Sequence, residues 1–148
     1  MKQVDFYIIA NQVVDAKFKL ASRLSNKLVR MQQKALLVTD NSAASKQLDQ
    51  IMWSFSDTSF VAHDCLASTP SPQSSIHIRE LDDTADQALA NDYDVLVNLS
   101  SEIPVYSHHF SRIAEIVDAD EQAKTQARER FKSYKEEGFE LKTHTIEL

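Results

Sequence analysis

The sequence predicts an α/β fold in which a mostly parallel sheet is flanked by helices, Rossmann-like in outline but without a nucleotide site. Short apolar runs alternate along the chain with segments of helical periodicity, as in β-α-β units. The 148 residues can bury a real core, and we expect residues 1–148 to form a single domain. Because Gly138 is the only glycine, neither a dinucleotide fingerprint nor a phosphate loop can be written.

The first forty residues predict one β-α-β unit. Apolar runs at 4–10 and 35–39 are typical of strands. Between them, apolar residues recur at three- and four-residue steps and predict one buried helix face: Phe18, Ala21, Leu24, Leu28 and Met31. Asp40 or Asn41 then offers an N-cap to a second helix, which should reach about Trp53.

The middle of the chain predicts short strands, a helix and a loop. Strands are expected at 60–62, 76–79 and 93–99, and the last run is apolar enough to be covered on both faces. Residues 66–75 contain two prolines and four serines, which indicates an exposed loop. A helix is expected at 83–90.

The last third predicts a short helix within 106–117 that leads into a strand ending at Asp118. Acidic residues then precede a further helix, whose N-terminal dipole favours anions. Gly138 fits the C′ position after that helix, and residues 139–146 alternate as a final strand.

Positive charge is concentrated in this last helix. Residues 124–135, KTQARERFKSYK, hold five basic residues and one acid, so they carry +4 while the rest of the chain carries −10. At roughly 100° per residue, four cations fall in one stripe: Lys124, Arg128, Lys132 and Lys135. The adjoining apolar stripe contains Ala127, Phe131 and Tyr134.

Two interpretations of these stripes stay open. A solvated basic face beside a buried aromatic is common on surface helices. Alternatively, the helix borders a pocket for a peptide carboxylate, in which Arg128 or Lys124 pairs with the anion and Phe131 bounds an apolar slot.

Composition excludes several other classes of protein. With 22 acidic and 16 basic residues, the chain has no general attraction to a phosphate backbone, so direct nucleic-acid binding is disfavoured. The single cysteine fits a reducing compartment. The N-terminal apolar run is too short for a signal peptide, and no run approaches a membrane span. We therefore expect a cytoplasmic protein with no membrane partner.

No convincing catalytic or metal set is visible. His63 and Cys65 would share one face of a strand, but no third ligand or orienting carboxylate can be named. Two acidic pairs, Asp82 with Asp83 and Asp92 with Asp94, are typical of helix caps and turns. A small α/β enzyme using His63 and Cys65 stays as an alternative, and no cofactor or metal is expected.

Aromatic residues cluster where the second helix ends. Trp53 lies at that end, and Phe60 follows a polar segment that contains Phe55. Such residues either cover the end of the core or anchor a protein partner.

Several segments together resemble one family, the chi subunits of bacterial DNA polymerase III. They span nearly the whole chain: DFYII, LLVTD, IMW, SFVAH at 59–63, VLVNLS, EIVD at 115–118 and ARERFKSYKEEGFEL at 127–141. The last block is the most specific of them.

The resemblance implies a non-catalytic bridge with a nucleotide-binding-like fold. Proteins of this kind pair with the psi subunit, which tethers them to the clamp loader, and hold the acidic C-terminal tail of single-stranded DNA-binding protein. Contact with DNA is then only indirect. By resemblance, Arg128, Phe131 and Lys124 bind the tail, although the family often has Tyr or Trp where Phe131 stands. Trp53 and Phe60 match the aromatic pair associated with psi binding.

Overall fold

The structure, a computed structural model, describes residues 2–55, 63–65, 76–81 and 89–148. Its strands are β1 (Gln3–Ile9), β2 (Ala35–Thr39), β3 (His63–Cys65), β4 (Ile76–Glu80), β5 (Val95–Asn98), β6 (Arg112–Val117) and β7 (Glu140–Ile146). Its helices are α1 (Ala16–Arg30), α2 (Ser42–Phe55), α3 (Leu89–Asp92) and α4 (Glu121–Glu136), with a 3₁₀ turn at Ser107–His109.

Within these ranges the seven strands form one sheet in the order β3-β4-β2-β5-β6-β1-β7. Every pairing between neighbouring strands is parallel. Since the strands are parallel, their carboxyl ends meet at one edge of the sheet. The predicted parallel α/β sheet flanked by helices is confirmed.

Most predicted elements coincide with observed ones, and the differences have local causes. Asn41, rather than Asp40, caps α2, because its Oδ1 accepts a hydrogen bond of 2.9 Å from the Ala44 N–H. Asp40 instead accepts hydrogen bonds from the N–H and hydroxyl of Ser101. The predicted strand at 60–62, the loop at 66–75 and most of the helix at 83–90 lie outside the described residues.

The core has two apolar layers, one on each face of the sheet. Phe6 on β1 packs on the α4 side with Tyr134, while Ile9 packs on the opposite side with residues of α1 and α2. Successive strand residues point to opposite faces, so β1 divides its side chains between the layers. This division decides which β1 residues can line a site beside α4.

Local contacts fix both ends of α4. Asp120 caps its start by accepting a hydrogen bond of 2.7 Å from the Ala123 N–H. After its end, Gly138 has φ 91°, and its N–H and that of Phe139 donate to the carbonyls of Lys135 and Tyr134. Glycine adopts positive φ without a Cβ penalty, so it can turn the chain from α4 directly into β7.

The described helices include none with both the length and the apolar character needed to cross a bilayer.

Candidate functional site

A pocket of about 290 Å³ lies between α4 and the sheet. Four elements contribute its walls: α4, β1, β7 and the last residue of β6. The lining side chains are Phe6, Ile8, Val117, Lys124, Ala127, Arg128, Phe131 and Thr143. We call this site the α4 pocket.

Apolar side chains form the floor of the α4 pocket. Phe6 and Ile8 alternate on β1, and Phe6 is paired in register with Thr143 on β7. The Phe6 and Phe131 rings lie 5.3 Å apart between centroids, in a tilted arrangement that aromatic pairs favour. Phe131 is only partly buried, so one part of its ring packs on the core and another borders the pocket.

Two cations stand at the rim, one helical turn apart. The Lys124 ammonium is 3.9 Å from the Glu121 carboxylate, whose side chain is 85% exposed, so this pair is weak and water-screened. Arg128 is exposed, and no hydrogen bond or ion pair joins it to the part of the chain that the structure describes. An apolar floor beside an uncommitted guanidinium suits a ligand that carries an anion next to an apolar group.

The structure thus brings together the three side chains that the sequence singled out for tail binding: Lys124, Arg128 and Phe131. Lys132 and Lys135 are exposed on the same helix but do not line the pocket.

Sequence reasoning missed the residues that the sheet supplies to the pocket: Phe6, Ile8, Val117 and Thr143. Four aromatic or aliphatic residues follow one another at 6–9, so the sequence alone does not tell which of them face α4. The alternation of 139–146 did carry a signal for Thr143, but only the strand order places β7 beside β1.

The local charge of α4 is smaller than its basic residues suggest, because one of them is buried. Arg130 is 7% exposed and its Nε donates to the Glu115 carboxylate at 3.0 Å. Glu115 is fully buried and also accepts hydrogen bonds from the Tyr134 hydroxyl at 2.6 Å and the Asn98 amide at 2.8 Å. We call these four residues the Glu115 network.

Opposing effects act on the ionisation of the Glu115 network. Burial raises the pKa of Glu115, while the Arg130 guanidinium and the hydrogen bonds from Tyr134 and Asn98 oppose that shift. Burial, together with the nearby Glu115 carboxylate, raises the pKa of Tyr134 well above its ordinary value, so this hydroxyl stays a donor. The network joins α4 to β5 and β6, and therefore holds the helix that carries Lys124 and Arg128 in place.

A second, polar cleft of about 260 Å³ lies on the other side of α4, at the carboxyl ends of β2, β5 and β6. Much of its polar lining is engaged by the chain itself. Lys17 donates to the Leu99 carbonyl at 3.0 Å, and Arg130 donates to the Ser101 carbonyl at 3.1 Å. Burial raises the pKa of Asp118, which also borders this cleft. These contacts tie the loops after the strands together.

The rival enzyme candidates do not converge on a site in the described residues. The Asp94 carboxylate accepts a hydrogen bond of 2.8 Å from the Lys34 N–H, which is the structural role expected for a turn. His63 and Cys65 begin and end β3, but their side chains are outside the described part of the structure, as are Asp82 and Asp83. No group of three or more potential metal ligands occurs among the described residues.

The structure does not describe the side chains of the two residues predicted to bind psi. Trp53 belongs to the last turn of α2, but its side chain, like the whole of Phe60, lies outside the described part of the structure. Their role stays a prediction.

Comparisons with known proteins agree with the family resemblance seen in the sequence. The family model described as "DNA polymerase III chi subunit, HolC" matches residues 1–142. The chain is 31% identical to the DNA polymerase III subunit chi of Pseudomonas aeruginosa, over 99% of this chain and 98% of that protein. It is 30% identical to the corresponding subunit of Haemophilus influenzae, over 98% of each, and 24% identical to that of Escherichia coli. The chain therefore belongs to the chi subunit family of DNA polymerase III, whose members are accessory rather than catalytic subunits of the replicative polymerase.

Proposed function

We propose that this protein is a bridge in the replication machinery. It binds the acidic C-terminal tail of single-stranded DNA-binding protein in the α4 pocket, and it binds the psi subunit, and through psi the clamp loader, with Trp53 and Phe60. It therefore meets coated lagging-strand DNA only indirectly. The proposal takes residues 1–148 as one domain acting in the bacterial cytoplasm, where replication takes place.

The observation that carries the proposal is the composition of the α4 pocket. A tail that ends in phenylalanine presents an aromatic ring next to a free carboxylate. The ring matches the floor made by Phe6, Ile8 and Phe131, and the carboxylate matches the uncommitted cation of Arg128. Acidic residues upstream of the terminal one would lie near Lys124.

A peptide is favoured over a nucleic acid for two reasons. The chain has a net charge of −6, and the burial of Arg130 against Glu115 removes one more cation from the exposed face of α4. Nucleic-acid affinity without sequence preference grows with the number of phosphates that cations neutralise, and too few remain here for a long contact.

The test is binding of an acidic peptide that ends in phenylalanine, measured by fluorescence anisotropy. Arg128→Ala should weaken binding by about 1.5–3 kcal/mol, because a charge-assisted contact to the terminal carboxylate is lost. Lys132→Ala is the matched control, since it removes one exposed cation from the same helix but not from the pocket. Equal weakening by both variants would mean that only the overall charge of α4 matters, and binding of oligonucleotides without protein would favour the nucleic-acid alternative.

The psi contact is tested separately by co-purification. We expect Trp53→Ala and Phe60→Ala to abolish capture of a psi-like partner while leaving peptide binding intact, because a bridge must hold both partners at once. Met31→Ala trims an apolar side chain that is 49% exposed just after α1, and it should change neither psi capture nor peptide binding. Loss of peptide binding together with psi capture would assign Trp53 and Phe60 to folding instead.

A further inference from the structure

A third pocket lies on the face of β1 and β7 opposite the α4 pocket, between α1 and this edge of the sheet. Its volume is about 180 Å³. The lining residues are Tyr7, Leu20, Arg23, Leu24, Lys27 and Ile146. We call it the α1 pocket.

The α1 pocket has the same construction as the α4 pocket. Arg23 and Lys27 stand one turn apart on α1, as Lys124 and Arg128 do on α4. Both are exposed, and neither has a hydrogen bond or ion pair to the described part of the chain. Each pocket therefore presents two cations of one helix to the solvent above side chains of β1 and β7.

Its floor is apolar and well supported. Leu20 is buried, while Tyr7, Leu24 and Ile146 are partly buried and pack against the core on the α1 side. The Tyr7 ring is stacked on His144 with 5.0 Å between ring centroids and 20° between planes. A ring held in this way is a fixed wall, so an apolar ligand group meets a preformed surface with little reorganisation.

We infer that the α1 pocket is a second, weaker site for an acidic peptide that ends in an apolar side chain and a free carboxylate. The inference rests on the proposed function, because it assigns to this pocket the ligand class proposed for the α4 pocket. Charge selects this occupant: two uncommitted cations lie beside an apolar cleft on a chain that is acidic in total. An uncharged apolar ligand would leave both cations unused.

The α1 pocket should be the weaker of the two for geometric reasons. Its volume is about 180 Å³ against about 290 Å³ for the α4 pocket, so a phenylalanine ring is covered less completely. Binding then removes less apolar surface from contact with water, and the hydrophobic contribution to the binding free energy falls in proportion.

The experiment is an NMR titration of the full-length protein, with labelled methyl groups, by an acidic peptide ending in phenylalanine. Ile8 and Val117 report on the α4 pocket, while Leu20, Leu24 and Ile146 report on the α1 pocket. We expect both sets to shift, the α1 set at peptide concentrations about tenfold higher or more, equivalent to about 1.4 kcal/mol. The α1 set should still shift in Arg128→Ala.

A double variant, Arg23→Ala with Lys27→Ala, isolates the inference. It should abolish the shifts of the α1 set and leave those of Ile8 and Val117 unchanged, whereas Lys46→Ala, an exposed cation on α2, should change neither. If the methyl signals of the α4 pocket shift on titration and those of the α1 pocket do not, this inference alone is wrong. If the Ile8 and Val117 methyl signals of the wild-type protein do not shift, the proposed function is wrong, whether or not the signals of the α1 pocket shift.

Discussion

Arg128 and Arg130 lie two residues apart on α4 and have opposite surroundings. Arg130 is 7% exposed and its guanidinium is committed to Glu115 and the Ser101 carbonyl. Arg128 is exposed and has no partner in the part of the chain that the structure describes. Two residues along a helix correspond to a rotation of about 200°, so neighbouring arginines can face a core and a pocket. A cation is therefore available to a ligand only where the fold places no acidic side chain against it.

The same comparison separates stability from binding. The Glu115 network fixes where α4 lies, and the rim of the α4 pocket decides what α4 can hold. Substitutions in the network should therefore act on the free energy of unfolding, while substitutions at the rim should act on peptide affinity.

The largest effect is expected in the Glu115 network. Arg130→Ala should lower the free energy of unfolding by about 3–5 kcal/mol, because it leaves the Glu115 carboxylate buried without its counter-charge. Urea unfolding followed by circular dichroism measures the change. Arg128→Ala is the matched control and should stay within about 0.5 kcal/mol of wild type, as an exposed substitution does. Equal stabilities for the two alanine variants would contradict the separation.

A mixed effect is expected at Phe131, which belongs to both regions. Phe131→Ala removes a ring that packs 5.3 Å from Phe6 and also lines the α4 pocket. The free energy of unfolding should fall by about 2 kcal/mol, roughly half the loss at a fully buried phenylalanine. Peptide affinity should fall as well, since the apolar slot opens to water.

Phe131→Tyr separates these two roles, because it keeps the ring of this partly buried residue and adds a hydroxyl. Stability should stay near that of wild type, and peptide affinity should be kept or improved. If Phe131→Ala changed stability but left affinity unaltered, Phe131 would be a core residue and no part of the peptide site.

The smallest effect is expected at Lys124. Its ammonium already lies 3.9 Å from the Glu121 carboxylate and its side chain is 35% exposed, so part of its charge is satisfied. Lys124→Ala should weaken peptide binding by about 0.5 kcal/mol, the value typical of an exposed charge pair. Anisotropy titrations at low and high salt measure it, and the difference from wild type should vanish at high salt. A loss as large as that of Arg128→Ala would make Lys124 the principal anion partner.

The fold could be predicted from sequence wherever apolar periodicity was unambiguous. The strand at 35–39 and the basic helix were predictable because hydrophobic spacing and capping residues act locally. Gly138 marked the end of α4 for the same reason, since its positive φ is a local requirement.

The pocket was less predictable, because it depends on which strands become neighbours. Lys124, Arg128 and Phe131 could be grouped from helical spacing within a single element. Phe6 and Thr143 join them only because β7 pairs with β1, which is a contact between residues over 130 positions apart. The burial of Arg130 was likewise hidden, since Glu115 lies on strand β6 and no local pattern links it to a residue of α4.

A double-mutant cycle tests whether Arg128 pairs with the terminal carboxylate of a peptide. The acidic peptide ending in phenylalanine is prepared with a free carboxylate and as its amide, and each is titrated into wild type and Arg128→Ala. We predict that amidation weakens binding to wild type by about tenfold or more, as expected for a lost charge-assisted contact. The same change should have almost no effect on Arg128→Ala. Equal losses on amidation in the two proteins would show that Arg128 does not pair with the terminal carboxylate.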